Sequence, residues 1–263
     1  MTAARRRAAA LAALLAGGCV QSHFDLATQQ QTYTMTSTDR EVDTGRKLAR
    51  SVYKEMDPVQ DEALQARVRG LGERIVAVCD RQELVYSFAV LDEDGVNAFS
   101  LPGGYVFVFR ELVEKVKSDD ELAGVIAHEI AHIVARHAVK RFEGGLGLQL
   151  VQLATLAAGR SAAAKGLTVA GHTTQLAYAR QDELDADRLA VKYLQAAGFD
   201  PKAVISFLET LQKVHADRQQ YLPRGVVRPS YAMTHPYVPD RLRAAKEALY
   251  GVADYIDYLN TSP

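Results

Sequence analysis

The amino-acid sequence predicts an α+β protein, predominantly helical, with a small, mostly antiparallel sheet set beside one long helix. Three observations predict it. Apolar residues recur at helical spacing through most of the chain. Residues 84–109 depart from that spacing into short β-branched and aromatic runs, parted by Asp92-Glu93-Asp94-Gly95 and Pro102-Gly103-Gly104. Residues 118–138, SDDELAGVIAHEIAHIVARHA, form the most clearly marked helix and contain His128-Glu129-Ile130-Ala131-His132.

With 263 residues, 48% of them hydrophobic, the chain can bury a core as one large domain, expected over residues 38–255 with a polar tail at 256–263. The formal net charge is −1 and no Lys/Arg-dense block follows the N-terminus, which argues against a nucleic-acid partner. Residues 1–18 differ in kind. Arg5, Arg6 and Arg7 precede a short apolar stretch, Ala8 to Ala16, and then Gly17 and Gly18. That is the pattern of a secretory signal, too short to span a bilayer. Leu15-Ala16-Gly17-Gly18-Cys19 resembles a bacterial lipobox, in which Cys19 is acylated and becomes the first mature residue. Ala16 and Gly17 depart from the usual lipobox residues, and an ordinary signal cut nearby is the alternative. By the same analogy, Val20 after the cysteine favours an outer-membrane anchor facing the periplasm. Cys79 is then left alone in the apolar run Ile75, Val76, Val78 and is expected to be a buried, unreactive thiol.

Residues 19–37, rich in Gln, Thr and Ser, read as a tether holding the domain off the membrane. A helix is expected over 39–56, and a second from Asp57-Pro58 to about Cys79. Strands are expected at 84–91, 96–100 and 105–109. The middle one is short and ends towards a proline, which suits an edge strand. An open edge near a metal can take an extended peptide by strand addition, and a plain hairpin is the other reading. Residues 144–159 read either as a lid over the cleft or as a packed helix. Further helices are expected over 174–197, capped at Gly198, then from Pro201 to about residue 215 and from Pro239 to about residue 250.

Ser118 with Glu121 makes a capping box, and Asp119, Asp120 and Glu121 put negative charge at the positive end of the helix dipole. Four helical residues advance about 400° and 6 Å, so His128 and His132 share a face one turn apart. Two imidazoles so placed can bind one tetrahedral metal, zinc above all, with Glu129 in reach of a water beside it. A shuffled chain of this composition would contain the pattern about 0.01 times.

Catalytic zinc takes three protein ligands and keeps one corner for water. Ala135 and Ala138 stand where the metzincin class has a glycine and a third histidine. His137 is about half a turn round the helix from His128 and is expected to be an ordinary, partly exposed histidine. The third ligand is sought in Arg180-Gln-Asp-Glu183-Leu-Asp-Ala186-Asp187. Glu183 and Asp187 are four apart on the face of Ala190 and Leu194, and carboxylates in an apolar stripe need a cation or donors. Glu183 as ligand, with Asp187 accepting a ligand histidine's free N–H, meets that need. A solvated acidic patch shared with Asp182 and Asp185 is the alternative.

Asn97-Ala98-Phe99-Ser100-Leu101-Pro102-Gly103-Gly104, the block from Glu121 to His137, Arg180-x-x-Glu183-x-x-Ala186-Asp187, and Thr234-His235-Pro236 with Arg241 follow in that order. Together they resemble the HtpX and CaaX-protease family of gluzincin metallopeptidases over roughly residues 40 to 250. More narrowly they are similar to its soluble periplasmic lipoprotein branch, the LoiP- and BepA-like proteases. The resemblance implies a zincin-type fold and one Zn2+ per chain, held by His128, His132 and Glu183 with Asp187 behind them. It implies that Asn97, Ala98, Phe99 and Ser100 form the substrate-binding edge. It also implies that His235 and Arg241 approach the metal from the C-terminal segment, His235 either regulating access to the zinc or, like Arg241, stabilising an oxyanion. Glu129 is the implied general base of peptide-bond hydrolysis.

The function expected is that of a zinc endopeptidase acting on unfolded or misfolded cell-envelope proteins in quality control. A chaperone-like or assembly lipoprotein with a latent or vestigial zinc site is the second reading. A purely structural zinc is disfavoured, because it has no use for Glu129 and only three protein ligands are evident.

Overall fold

The computed structural model describes residues 21–25, 30–145, 180–221 and 235–261. The expected signal at 1–18, Cys19, most of the segment read as lid or packed helix, and residues 222–234 lie outside the described residues.

Strands β1 (Gln21–Asp25) and β2 (Gln30–Thr34) pair antiparallel, with Gln21 opposite Thr34. The segment whose average composition reads as a tether therefore carries a hairpin. Its Thr32-Tyr33-Thr34 run has the β propensity that the Gln-rich average conceals.

Helix α1 (Thr38–Glu55) starts at Ser37, whose hydroxyl accepts the Arg40 N–H at 3.3 Å. Helix α2 (Glu62–Val76) starts later than Pro58, the expected beginning. Residues 57–59 pair instead with the end of the next strand, Val59 N–H donating to Val90 O and Asp92 N–H to Asp57 O. Asp61 then caps α2 by accepting from the N–H groups of Ala63 and Leu64 at 2.9 and 3.1 Å.

Strands β3 (Ser87–Leu91), β4 (Ala98–Leu101) and β5 (Tyr105–Phe109) form a sheet in the order β3-β5-β4. β4 lies at an edge, as expected. The expectation of a mostly antiparallel sheet is corrected: β4 runs antiparallel to β5, but β3 runs parallel to it. Instead of turning back as a hairpin at Asp92–Gly95, the chain leaves room for β5 between β3 and β4. The reason is apolarity. In β5, Val106, Phe107, Val108 and Phe109 are all buried, which suits a central strand covered on both faces.

Alternation along the strands divides the core in two. Val90, Ala98, Val106 and Val108 pack with α2 and the metal-motif helix, whereas Ala89, Leu91, Phe107 and Phe109 pack under α1 with Phe99 and Leu101. Gly103 and Gly104 turn the chain from β4 into β5 at φ +80° and +107°, a backbone open to glycine. Helix α1 presses directly on this turn, and a Cβ on its Gly45 would sit 1.7 Å from the Pro102 carbonyl oxygen.

After the short α3 (Arg110–Lys115) comes α4 (Asp119–Val134), which carries the metal motif. Ser118 accepts the Glu121 N–H at 3.2 Å as the capping box requires, while Glu121 Oε2 accepts from Lys117 N–H at 2.8 Å, one residue outside the usual reciprocal bond. At the other end Arg136 takes φ +56°, and residues 137–145 restart as α5. Long-range ion pairs hold that break. Glu41 binds both Arg81 and Arg136 at 3.0 Å, and Arg81 also donates to the Ile133 carbonyl at 3.2 Å. Helix α6 (residues 180–196) ends near Gly198 at φ +74°. Helix α7 (Ala203–Tyr221) packs on α4, and α8 (Val238–Thr261) packs on α7. α8 kinks at Gly251 and continues as helix where a polar tail was expected. Cys79 is buried, and burial pushes its thiol pKa up, consistent with an unreactive group.

Candidate metal centre

Helix α4 is buried along nearly its whole length, so the imidazoles of His128 and His132 are withdrawn from solvent on one face. α6 crosses opposite and presents Glu183. His235, just before α8, arrives from the third side. His128, His132, Glu183 and His235 each offer one ligand atom, and these four atoms all lie within 4.8 Å of one another. His128 Nε2 is 3.0 Å from His132 Nε2, 3.3 Å from His235 Nδ1 and 3.4 Å from Glu183 Oε2. His132 Nε2 is 3.5 Å from Glu183 Oε1, and His235 Nδ1 is 3.2 Å from Glu183 Oε2. A tetrahedron with ligand bonds of about 2.0–2.1 Å has edges of about 3.3 Å. Four buried donors at these separations fit one small tetrahedral cation, and three imidazoles with one carboxylate are a fitting donor set.

Behind the donors, charges are arranged to fix them. Asp187 Oδ1 lies 2.8 Å from His128 Nδ1, which places the proton on Nδ1 and leaves Nε2 for a metal. Asp187 is in turn held by Arg241, through Nε and a terminal nitrogen, at 2.8 Å each. Arg241 also reaches Glu183 Oε2 at 3.0 Å. Asp187 thus joins the imidazole of His128 to the guanidinium of Arg241. Arg241, expected to approach the metal from the C-terminal segment, has a buried guanidinium that pairs with the carboxylates of Asp187 and Glu183.

His137 also departs from expectation. It is buried, and its Nδ1 is 2.7 Å from His132 Nδ1, with Asp182 Oδ1 3.7 Å from its other nitrogen. The helical-wheel argument that placed it on the far side assumes an unbroken helix, and the left-handed Arg136 breaks it. Asp182 and Asp185 are buried too, so the solvated acidic patch is not what α6 builds.

The electrostatics follow from burial set against pairing. Burial and the Arg241 charge pull the His128 pKa down, but Asp187 and Glu183 outweigh them and hold it at about 9. Burial, reinforced by His128, holds His132 well below the usual range. For Glu183, burial pushes up, yet His128 and His235 prevail and the carboxyl stays far below the usual carboxylate range. Asp187 is lowered in the same way, Arg241 overcoming burial. Asp182 goes the other way, raised by burial to about 7 despite Arg141.

Glu129 is fully buried and projects beside the donor cluster, its Oε1 3.2 Å from His235 Nε2. Its Oε2 accepts from Ser100 Oγ at 2.9 Å, which brings the edge strand β4 against the centre.

Residues 62–249 match the model of peptidase family M48. The chain belongs to that family. The buried His128, His132, Glu183 and His235 are where a metal ion can be held. Over 221 residues the chain is 30% identical to the beta-barrel assembly-enhancing proteases of Escherichia coli (strain K12) and Yersinia pestis, a match covering 80% of this chain and 44% of each relative. Over 252 residues it is 29% identical to the mitochondrial metalloendopeptidase OMA1 of Schizosaccharomyces pombe, covering 90% of this chain and 70% of that one. The chain spans less than half the length of the bacterial relatives. Among the described residues no helix is long and apolar enough to cross a membrane.

The expected substrate edge, Asn97 to Ser100, lies at the edge of the three-stranded sheet. Ala98 is buried against α4, and Phe99 stacks on Phe107 with ring centroids 5.1 Å apart, so both serve the core. Asn97 is buried as well, its side chain accepting the Ala98 N–H at 3.0 Å. What β4 can offer a peptide is its outer backbone edge.

Proposed function

We propose that this M48 peptidase is a zinc endopeptidase that hydrolyses unfolded or misfolded proteins of the bacterial cell envelope, one zinc being held by His128, His132 and Glu183. The observation that carries the reading is the buried Glu129 carboxylate placed beside a tetrahedral set of donors. The chemistry that zinc supplies in such a site is Lewis acidity, which acidifies water and polarises a carbonyl. The chain does the rest. Asp187 and Arg241 hold His128 in one tautomer, an extended substrate lies along β4, and Glu129 takes a proton from the attacking water and returns it to the departing amine. The bacterial relatives' name, beta-barrel assembly-enhancing protease, supports substrates among envelope proteins. The lipobox-like Leu15–Cys19 supports a lipid anchor at the outer membrane, facing the periplasm.

His235 favours a second state of the same protein. With a metal bound, His128, His132, Glu183 and His235 together would supply four protein ligands, the arrangement of a closed site. Hydrolysis then requires His235 to withdraw, and with His235 in place the chain is a latent, assembly-type lipoprotein. A structural zinc remains the poorer reading, because Glu129 has no task in it.

A Glu129→Gln chain expressed in the cell serves as the trap. Its captured proteins are expected to be enriched in unfolded envelope proteins; capture matching that of a Glu129→Gln, His128→Ala chain would remove the support for this substrate class.

A further inference from the structure

Ser100 breaks the pattern of its strand. Ala98, Val106 and Val108 turn buried apolar side chains towards α4, and Ser100, paired with Val106, is the polar residue on that face. Its hydroxyl donates to Glu129 Oε2 at 2.9 Å. The other oxygen, Oε1, is buried, makes no hydrogen bond, and faces His235 Nε2 at 3.2 Å. The two oxygens of one carboxylate are thereby made unequal. A buried carboxyl turns easily about its last torsion unless a donor fixes it.

We propose that Ser100 is a positioning residue: its hydroxyl anchors Oε2 of Glu129, so that Oε1 is the oxygen that handles the proton during peptide hydrolysis. In that step water's oxygen bonds to the carbonyl carbon, Oε1 takes the water proton, the C–N bond breaks and the proton passes from Oε1 to the leaving nitrogen. Ser100 keeps its own proton throughout. This assigns Ser100 to the base, with its side chain turned away from the outer edge where a substrate strand would lie. The inference rests on Glu129 being the general base.

The test compares Ser100→Ala, Ser100→Thr and Glu129→Gln with the wild-type chain on a quenched fluorescent peptide at saturating zinc. Ser100→Ala is expected to lower kcat about tenfold or more while KM and zinc content stay unchanged, and Ser100→Thr to recover most of the loss. A second readout needs no activity. In the EDTA-treated chain, urea midpoints of Ser100→Ala, Glu129→Ala and the double variant are expected to be non-additive, reporting the contact itself. Additive midpoints, an unchanged kcat in Ser100→Ala, or a rise in KM alone would overturn the proposal. If Glu129→Gln cleaves as the wild type does, the base reading fails and takes this one with it. If Glu129→Gln is inactive and Ser100→Ala is not, only the role of Ser100 falls.

Discussion

Arg241 grips Asp187 through two hydrogen bonds of 2.8 Å each, in a site shut off from solvent. The pair sits directly behind His128 and Glu183. Removing one partner leaves a buried charge without its counter-ion, which costs about 3–5 kcal/mol. Arg241→Ala is therefore expected to lower the unfolding free energy by roughly that amount in urea titrations. Arg241→Lys keeps the charge but loses the fork and is expected to fall between the two.

His137 is expected to matter for metal retention without being a ligand. Its contact with His132 Nδ1 orients the imidazole that offers Nε2 to the metal. His137→Ala should weaken zinc binding by about 10–100-fold, measured by competition with a chromophoric chelator. An unchanged affinity would mean that His132 is held well enough by packing alone.

Zinc affinity is expected to rise with pH. A metal must displace the proton from His128, whose pKa is held at about 9 by Asp187 and Glu183 against the opposing pull of burial and Arg241. Below that value each pH unit should change the apparent affinity by about tenfold for the one proton displaced. The metal-free chain is expected to show the opposite trend from this group. Because the folded pKa lies above the unfolded value of 6.5, the contribution to stability is complete below pH 6.5 and is lost as pH rises through about 9. Titrations of affinity and of EDTA-treated stability across that window check both signs.

Gly45 should tolerate no side chain. A Cβ there would lie 1.7 Å from the Pro102 carbonyl oxygen, in a turn whose own backbone is confined by Gly103 and Gly104. Gly45→Ala is expected to push α1 off the turn between β4 and β5 and cost more than about 3 kcal/mol, within the range of severe overpacking. Gly70→Ala, with open space around its Cβ on α2, is the control expected to leave stability unchanged or slightly raised.

Local chemistry was enough to read much of this centre from the chain. Ser118 and Glu121 marked the start of α4, the spacing of His128 and His132 put both on one face, and the cost of carboxylates in an apolar stripe pointed to Glu183 and Asp187. What escaped was set by distant partners. Arg136 enters the left-handed region where it is bound by Glu41, and that break turns His137 inward. The parallel pairing of β3 with β5 depends on which strand is buried on both faces, a comparison between strands that no single turn sequence announces. The pairing of Arg241 with Glu183 and Asp187 likewise joins residues more than fifty positions apart, on different helices.

The central claim is that a buried carboxylate acts as base beside a metal held by two imidazoles and a glutamate. Zinc content and casein turnover of Glu129→Gln, measured on the same preparation, test it most directly. Wild-type zinc content with turnover reduced about a hundredfold or more is the expected result. Turnover equal to that of the wild-type chain at equal zinc content would contradict it.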